Sequence, residues 1–246
     1  CACTEKNNLP KPTTAQLAWQ DMEMNMFCHF GPNTFSGKEW GDGTEAEDLF
    51  HPTDLDCRQW ASIAKAAGFK GMILVAKHHD GFCLWPNPES THTVASSPWK
   101  DGKGDVLKEF SEACDAEGLK LGIYISPWDR IHETVLKYQP KAVMFSDAGP
   151  GCRWVGNESE NDKIKSLREL ISIYNTSVGR NSLLLLGIAP DITGHIHPAD
   201  SARLMEFGAA LKKIFSVNLA DGRRLSTGFS FRNIFCGHSH FIFDVF

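Results

Sequence analysis

Polar side chains that could take part in catalysis or ligand binding follow several apolar runs of this chain. The clearest run is "LVAKHHDGFCLW" (74–85), which passes from apolar residues into His78, His79 and Asp80. Because neighbouring side chains of a strand point to opposite faces, we expect the two histidine rings to diverge. At least one of them should then face a polar cavity or the rim of a sheet. The other polar residues that directly follow apolar runs are His29, Asp129, Asp147 and Asp191.

The histidines His29, His78 and His79 allow three interpretations. Histidine is a common metal ligand, but diverging rings and the lack of an H-E-x-x-H helix argue against a metal, and we expect none. They could also be structural histidines with satisfied hydrogen bonds. The third interpretation is a polar ligand, since a neutral imidazole both donates and accepts a hydrogen bond. Sugar hydroxyls need such partners.

An acidic loop, "TFSGKEWGDGTEAEDLF" (34–50), follows the first apolar run and places Trp40 beside Glu39. A tryptophan ring can cover the C–H face of a sugar while a neighbouring carboxylate accepts its hydroxyl protons. The alternative is a solvated acidic loop without a ligand.

A second pair of carboxylates, Asp147 and Glu158, lies on the stretch "VMFSDAGPGCRWVGNES" (143–159). Two carboxyl groups about 5–5.5 Å apart serve a retaining glycosidase as nucleophile and as acid/base. The alternative is a turn aspartate and an unrelated surface glutamate. No G-x-S-x-G elbow is present for acyl transfer. The residues alone therefore favour a carbohydrate-active enzyme.

Short apolar runs alternate with amphipathic helical patterns, which is typical of an α/β protein with a parallel sheet. The predicted strands are 24–31, 70–79, 120–128, 141–149 and 181–191, and the main predicted helices are 54–69, 104–119, 131–140, 162–179 and 198–215. Without G-x-G-x-x-G or a P-loop, a nucleotide-binding open sheet is disfavoured. We therefore expect a (β/α)8-like TIM barrel, although five strands are too few to close one.

Composition excludes several classes of protein. The net charge of −5, with no basic patch, gives no case for nucleic-acid binding, and no apolar run is long enough to span a bilayer. Eight cysteines do not make a disulfide scaffold, and Cys28, Cys83 and Cys114 are expected to be buried thiols. Cys1 could be the lipid anchor of a mature lipoprotein, although trimming of the sequence explains this start equally well.

Several stretches together resemble the retaining α-L-fucosidases of glycoside hydrolase family 29, most closely the branch acting on α-1,3/4-linked fucose. The motifs that carry the resemblance are "HFGPNTFSGKEWGDG", "LVAKHHDGFCLW", "GIYISPWDR", "VMFSDAGPGCRWVGNE" and "SVGRNSLLLLGIAPD". They fall in order within residues 15–222. The resemblance implies a (β/α)8-like barrel, often followed by a β-sandwich, that hydrolyses fucosylated oligosaccharides or glycoconjugates without a cofactor. Such an enzyme is expected in the periplasm, at the cell surface or outside the cell.

The resemblance also implies roles for particular residues. The residues that would contact fucose are His29, Glu39, Trp40, His78, His79 and, with a weaker match, Tyr124. The glutamate of W-V-G-N-E, which is Glu158, would be the general acid/base.

One departure from the family pattern concerns the nucleophile. The family's aspartate lies on a W-F-D-G-like strand, but here "SPWDR" runs directly into "IHETVLKYQP", so that strand is absent. A second family stretch is missing between Glu160 and Asp162. Three explanations are open: omitted segments, a truncated gene product, or Asp147 acting as the replacement nucleophile.

These observations predict a catalytic barrel over residues 1–222 and a divergent tail, or the start of a lost β-domain, over 223–246. The leading hypothesis is a retaining α-L-fucosidase. The alternatives are a catalytically inactive fucose-binding remnant and a metal-dependent hydrolase that uses His78, His79 and Asp80.

Overall fold

A parallel β-sheet organises the chain. The computed structural model describes residues 11–126, 160–180 and 182–216, together with the backbone of 242–245. The strands are β1 (Met24–Cys28), β2 (Gly71–Lys77), β3 (Lys120–Ile125), β4 (Leu184–Ile188) and β5 (Ile242–Val245). They pair in the order β3-β2-β1-β4-β5, and every pair is parallel. In parallel strands of one sheet, the carboxyl ends meet at the same edge.

Six α-helices lie in the described part of the chain. They are α1 (Thr14–Gln20), α2 (Pro32–Ser36), α3 (Cys57–Ala67), α4 (Val106–Glu117), α5 (Leu167–Ser177) and α6 (Pro198–Ile214). The carboxylate of Asp56 starts α3 by accepting from the backbone N–H of Arg58 and Gln59, and Gly68 ends it at φ 97°. Asp105 and Gly118 bound α4 in the same way.

Apolar side chains pack on both faces of the sheet. On the helix side, Met26, Leu74 and Leu186 belong to a core that also contains Trp60 of α3 and Phe207 of α6. The opposite face carries a smaller cluster formed by Phe27, Val75, Leu183 and Leu185, with Tyr124 packed against it. Since both faces are covered, β1 and β4 are buried at every position, which explains why they read as continuous apolar runs.

The predicted helices and strands that fall on described residues are confirmed, with ends that differ by a few residues. Cys28, Cys83 and Cys114 are buried free thiols, as expected. The predictions for Cys1, Asp147, Glu158 and the elements at 131–140 and 141–149 lie outside the described residues. The domain division at 222/223 stays a prediction, while β5, beyond it, pairs with β4 in the same sheet.

Candidate active site

The carboxyl ends of three neighbouring strands form the candidate site. His29 follows β1 directly, and its backbone N–H donates to the carbonyl of Ile188 at the end of β4 (2.9 Å). His78 and His79 follow β2, and Ser126 follows β3, where its N–H donates to the carbonyl of Lys77 (2.9 Å). Sheet order therefore brings together residues that are up to 97 positions apart in sequence, from His29 to Ser126.

The expectation that the rings of His78 and His79 diverge is wrong. Their centroids lie 4.5 Å apart with the planes tilted by 51°. The alternation of side chains applies within a strand, but β2 ends at Lys77 and a turn begins at His79. The chain is thus free to turn both rings toward the same region.

The three histidine rings belong to a larger cluster of ring side chains that also contains Trp40. His29 and His78 have ring centroids 6.0 Å apart, and Trp40 lies 4.7 Å from His79. His79 is 3% exposed whereas Trp40 is 46% exposed. The indole ring therefore offers an accessible apolar face beside a buried imidazole, an arrangement that suits the C–H face of a sugar.

Burial keeps two of these histidines uncharged. It lowers the pKa of His78 from 6.5 to about 3, with smaller contributions from His29 and His79. Burial likewise lowers the pKa of His29 to about 4, and His79 lowers it further, while the nearby backbone carbonyl of Phe27 acts in the opposite direction. Loss of hydration disfavours the charged imidazolium, so both rings are neutral at physiological pH.

His79 is held by the end of β3. Its Nδ1 lies 2.7 Å from the hydroxyl of Ser126, which is fully buried. The same hydroxyl hydrogen-bonds Tyr124, whose pKa is raised by burial and lowered to a smaller extent by this bond. Ser126 thus connects two of the predicted sugar-binding residues, and the sequence reasoning missed it.

The loop with Glu39 and Trp40 is fixed by hydrogen bonds and by close packing. The indole N–H of Trp40 donates to the carboxylate of Glu39 (2.8 Å). The carboxylate of Glu45 accepts from the backbone N–H of Asp42 (2.8 Å) and of Gly43 (2.9 Å). Gly41 lies so close to the site that a Cβ there would come within 2.7 Å of Asp80 and 2.8 Å of Asn33.

A small pocket opens between these elements. Its volume of about 30 Å³ is room for one or two water-sized groups, such as sugar hydroxyls. Its polar lining comes from His29, Asn33, Thr34, Glu39, His78 and Asp80. His29 Nδ1 and Asn33 Oδ1 are buried there without a hydrogen-bond partner, and buried polar atoms normally have one.

The structure therefore brings together the predicted residues His29, Glu39, Trp40, His78, His79 and Tyr124. Their contact with a sugar stays a prediction, as do the roles of Asp147 and Glu158. Sequence reasoning missed Asn33, whose only signal was its position four residues after His29. Within the described ranges, no group of three or more His, Cys, Asp and Glu side chains is arranged to hold a metal ion.

Comparison with known proteins identifies the family. The family model for α-L-fucosidase matches residues 29–149, a range that begins at the motif after β1, contains β2 and ends before Glu158. Alpha-L-fucosidase 1 of Arabidopsis thaliana is 35% identical over 86% of this chain and 62% of its own length. This chain belongs to the α-L-fucosidases of glycoside hydrolase family 29.

Solved structures agree with this assignment. A glycoside hydrolase 29 family member from an unknown rumen bacterium is 31% identical, with a TM-score of 0.77 over 89% of this chain and 60% of that one. A Bacteroides thetaiotaomicron protein assigned as an α-L-fucosidase is 30% identical, with a TM-score of 0.74 over 86% of this chain and 70% of that one. The fold class is thus confirmed: the parallel sheet is part of the TIM-barrel catalytic domain of this family.

The chain is shorter than its relatives and lacks internal stretches that they contain. It spans about three fifths of the Arabidopsis protein and of a second relative from Oryza sativa. The Arabidopsis alignment runs over 315 residues but uses 86% of a 246-residue chain, so some aligned positions have no counterpart here. This finding agrees with the internal losses expected from the motifs.

Proposed function

We propose that the protein of which this chain is a part, or the chain itself, is a retaining α-L-fucosidase that releases L-fucose from fucosylated oligosaccharides or glycoconjugates. The observation that carries the proposal is the pocket at the ends of β1 and β2. There, uncharged imidazoles and buried polar atoms without a partner converge next to an exposed indole. The names of the relatives, which are fucosidases, favour hydrolysis over binding alone.

The neutral histidines suit an uncharged, hydroxyl-rich ligand. Each neutral ring has one donor and one acceptor nitrogen, which matches a sugar hydroxyl in either direction. Glu39 accepts hydroxyl protons, and Trp40 covers the C–H face of the ring. Binding by such groups orients the anomeric carbon toward the carboxylates that perform the reaction.

The proposed chemistry uses two carboxylates. An aspartate attacks the anomeric carbon and forms a glycosyl–enzyme ester, while Glu158 protonates the departing glycosidic oxygen. Glu158 then removes a proton from water, which attacks the anomeric carbon and releases fucose and the carboxylate. Asp147 is the nucleophile candidate in this chain, and the family's own nucleophile strand would take its place in a longer protein.

The decisive experiment is release of 4-nitrophenol from its α-L-fucoside by protein of recorded intact mass. Activity at 27.3 kDa that is lost in Asp147→Asn supports hydrolysis with the replacement nucleophile. Activity only at a larger mass supports hydrolysis with a nucleophile outside this sequence. In the active protein, Glu158→Ala should lower kcat by roughly 10²–10⁴-fold on glycan substrates; turnover equal to that of the parent would remove Glu158 from the mechanism.

The alternative is a fucose-binding protein without hydrolysis. It predicts calorimetric binding of L-fucose that is lost in His78→Ala, with no nitrophenol released at any mass. Binding together with hydrolysis would reject this alternative.

A further inference from the structure

Asn33 lies at the point where the loop of Glu39 meets His78. Its side chain belongs to the short helix α2, which follows β1. The amide nitrogen Nδ2 donates to the backbone carbonyl of Glu39 (3.3 Å) and lies 3.5 Å from Nδ1 of His78. One side chain therefore contacts two of the predicted sugar-binding residues.

The contact with the Glu39 carbonyl determines which way the amide faces. If the amide were flipped, Oδ1 would stand opposite the carbonyl oxygen, and two acceptors would repel each other. The nitrogen must therefore face both Glu39 and His78. An amide nitrogen donates and cannot accept, so Nδ1 of His78 must be the acceptor, and in the neutral ring the hydrogen then resides on Nε2.

We propose that Asn33 is a positioning residue: it holds His78 in the tautomer with hydrogen on Nε2, so that this nitrogen donates to a hydroxyl of the sugar. The donation from Nε2 of His78 to a sugar hydroxyl rests on the proposed function. The assignment of the tautomer rests on the contacts of Asn33 alone.

The other groups around His78 do not impose this choice. His29 and His79 approach ring to ring, and the carboxylates of Glu39 and Asp80 line the same pocket. The low pKa of His78 agrees with a ring that accepts a neutral hydrogen bond instead of pairing with a carboxylate.

The isosteric variant Asn33→Asp tests the proposal, because a carboxylate can only accept. It should pull the hydrogen of His78 onto Nδ1 and raise the pKa of that ring. When the ring is protonated at low pH, both nitrogens carry hydrogen and Nε2 still donates. When it loses a proton at higher pH, the remaining hydrogen stays on Nδ1, facing the new carboxylate, and the donor at Nε2 is lost.

The kcat/KM of Asn33→Asp, divided by that of the parent, should therefore fall by about tenfold as pH rises from about 5 to about 8. Asn175→Asp is the matched control, since it adds the same charge at an exposed position of α5 and should keep a flat ratio. Nitrogen-15 spectra of histidine-labelled protein should show hydrogen on Nε2 of His78 in the parent and on Nδ1 in neutral Asn33→Asp.

A parent spectrum with hydrogen on Nδ1 of His78, or a pH-independent ratio for Asn33→Asp, would overturn the proposal. If the parent protein released no nitrophenol at all, the proposed function would fail while the spectra still decided the role of Asn33. The two failures are thus distinguishable.

Discussion

Burial keeps His29 and His78 neutral, and this links the acid stability of the protein to the candidate site. His78 has a pKa of about 3 in the folded protein, against an ordinary value of 6.5. Between these values, the unfolded chain binds a proton that the folded chain does not. Stability contributed by the neutral ring is therefore complete above about pH 6.5 and is lost progressively as the pH falls toward 3.

Replacing His78 by Gln should make the free energy of unfolding depend less on pH. We expect the pH dependence of the free energy of unfolding, measured by urea titration between about pH 4 and 6.5, to decrease by up to about 1.4 kcal/mol per pH unit. His51→Gln, which alters an exposed histidine, serves as the control. An unchanged slope in His78→Gln would mean that its ring takes up a proton in the folded protein.

Ser126 is a second test at the level of single residues. Ser126→Ala would leave Nδ1 of His79 without its hydroxyl partner, so we expect a loss of about 1–3 kcal/mol in the free energy of unfolding. kcat/KM for a fucoside should fall as well, and Ser126→Thr, which keeps the hydroxyl, should restore much of both. Failure of Thr to rescue either quantity would point to packing, and not to the hydroxyl, as the role of Ser126.

At the level of elements, the sequence predicted four of the helices and four of the strands of the described ranges, but it did not predict α1, α2, β5 or the shape of the site. Apolar runs and caps such as Asp56 and Gly68 are local signals, and they predicted α3 and β2 correctly. The end of β2 at Lys77 depends on pairing with neighbouring strands, and a difference of two residues decided whether the histidine rings diverge or meet. Asn33 acts through contacts that become visible only when α2 and the loop of Glu39 are folded.

The loop that carries Glu39 and Trp40 depends on the absence of a side chain at Gly41. Gly41→Ala would place a carbon 2.7 Å from Cβ of Asp80 and 2.9 Å from the Glu45 carboxylate, so the loop must shift. We expect at least a tenfold loss of kcat/KM for a fucoside, since small displacements of binding groups are costly. Gly179→Ala, whose new carbon would meet its neighbours at 3.9 Å, should be close to the parent; equal activity of both variants would show that the loop tolerates the shift.

At the level of the whole molecule, β3 leaves an apolar surface exposed. Leu121, Ile123 and Ile125 are 41%, 48% and 52% exposed along this strand. Among the described residues, every helix is too short or too polar to cross a bilayer. Exposed apolar side chains on a strand promote association between chains.

Placing a charge on this surface should reduce that association. We expect Ile123→Lys to lower the self-association of the chain, measured by light scattering over a range of concentrations, because lysine at an exposed strand opposes pairing. Leu17→Lys changes an apolar residue of similar exposure on α1 and should have a smaller effect. The same scattering from Ile123→Lys and the parent would show that β3 does not carry the contact.

The pairing of β1 with β4 has a consequence for synthesis of the chain. Met24 lies opposite Leu184, so β1 lacks one of its two neighbours until residues 184–188 have been made. Loop closure over such a separation is slow, and the β1 surface must stay out of contact with other chains meanwhile. Chaperone dependence during translation should therefore be greatest before residues 184–188 emerge.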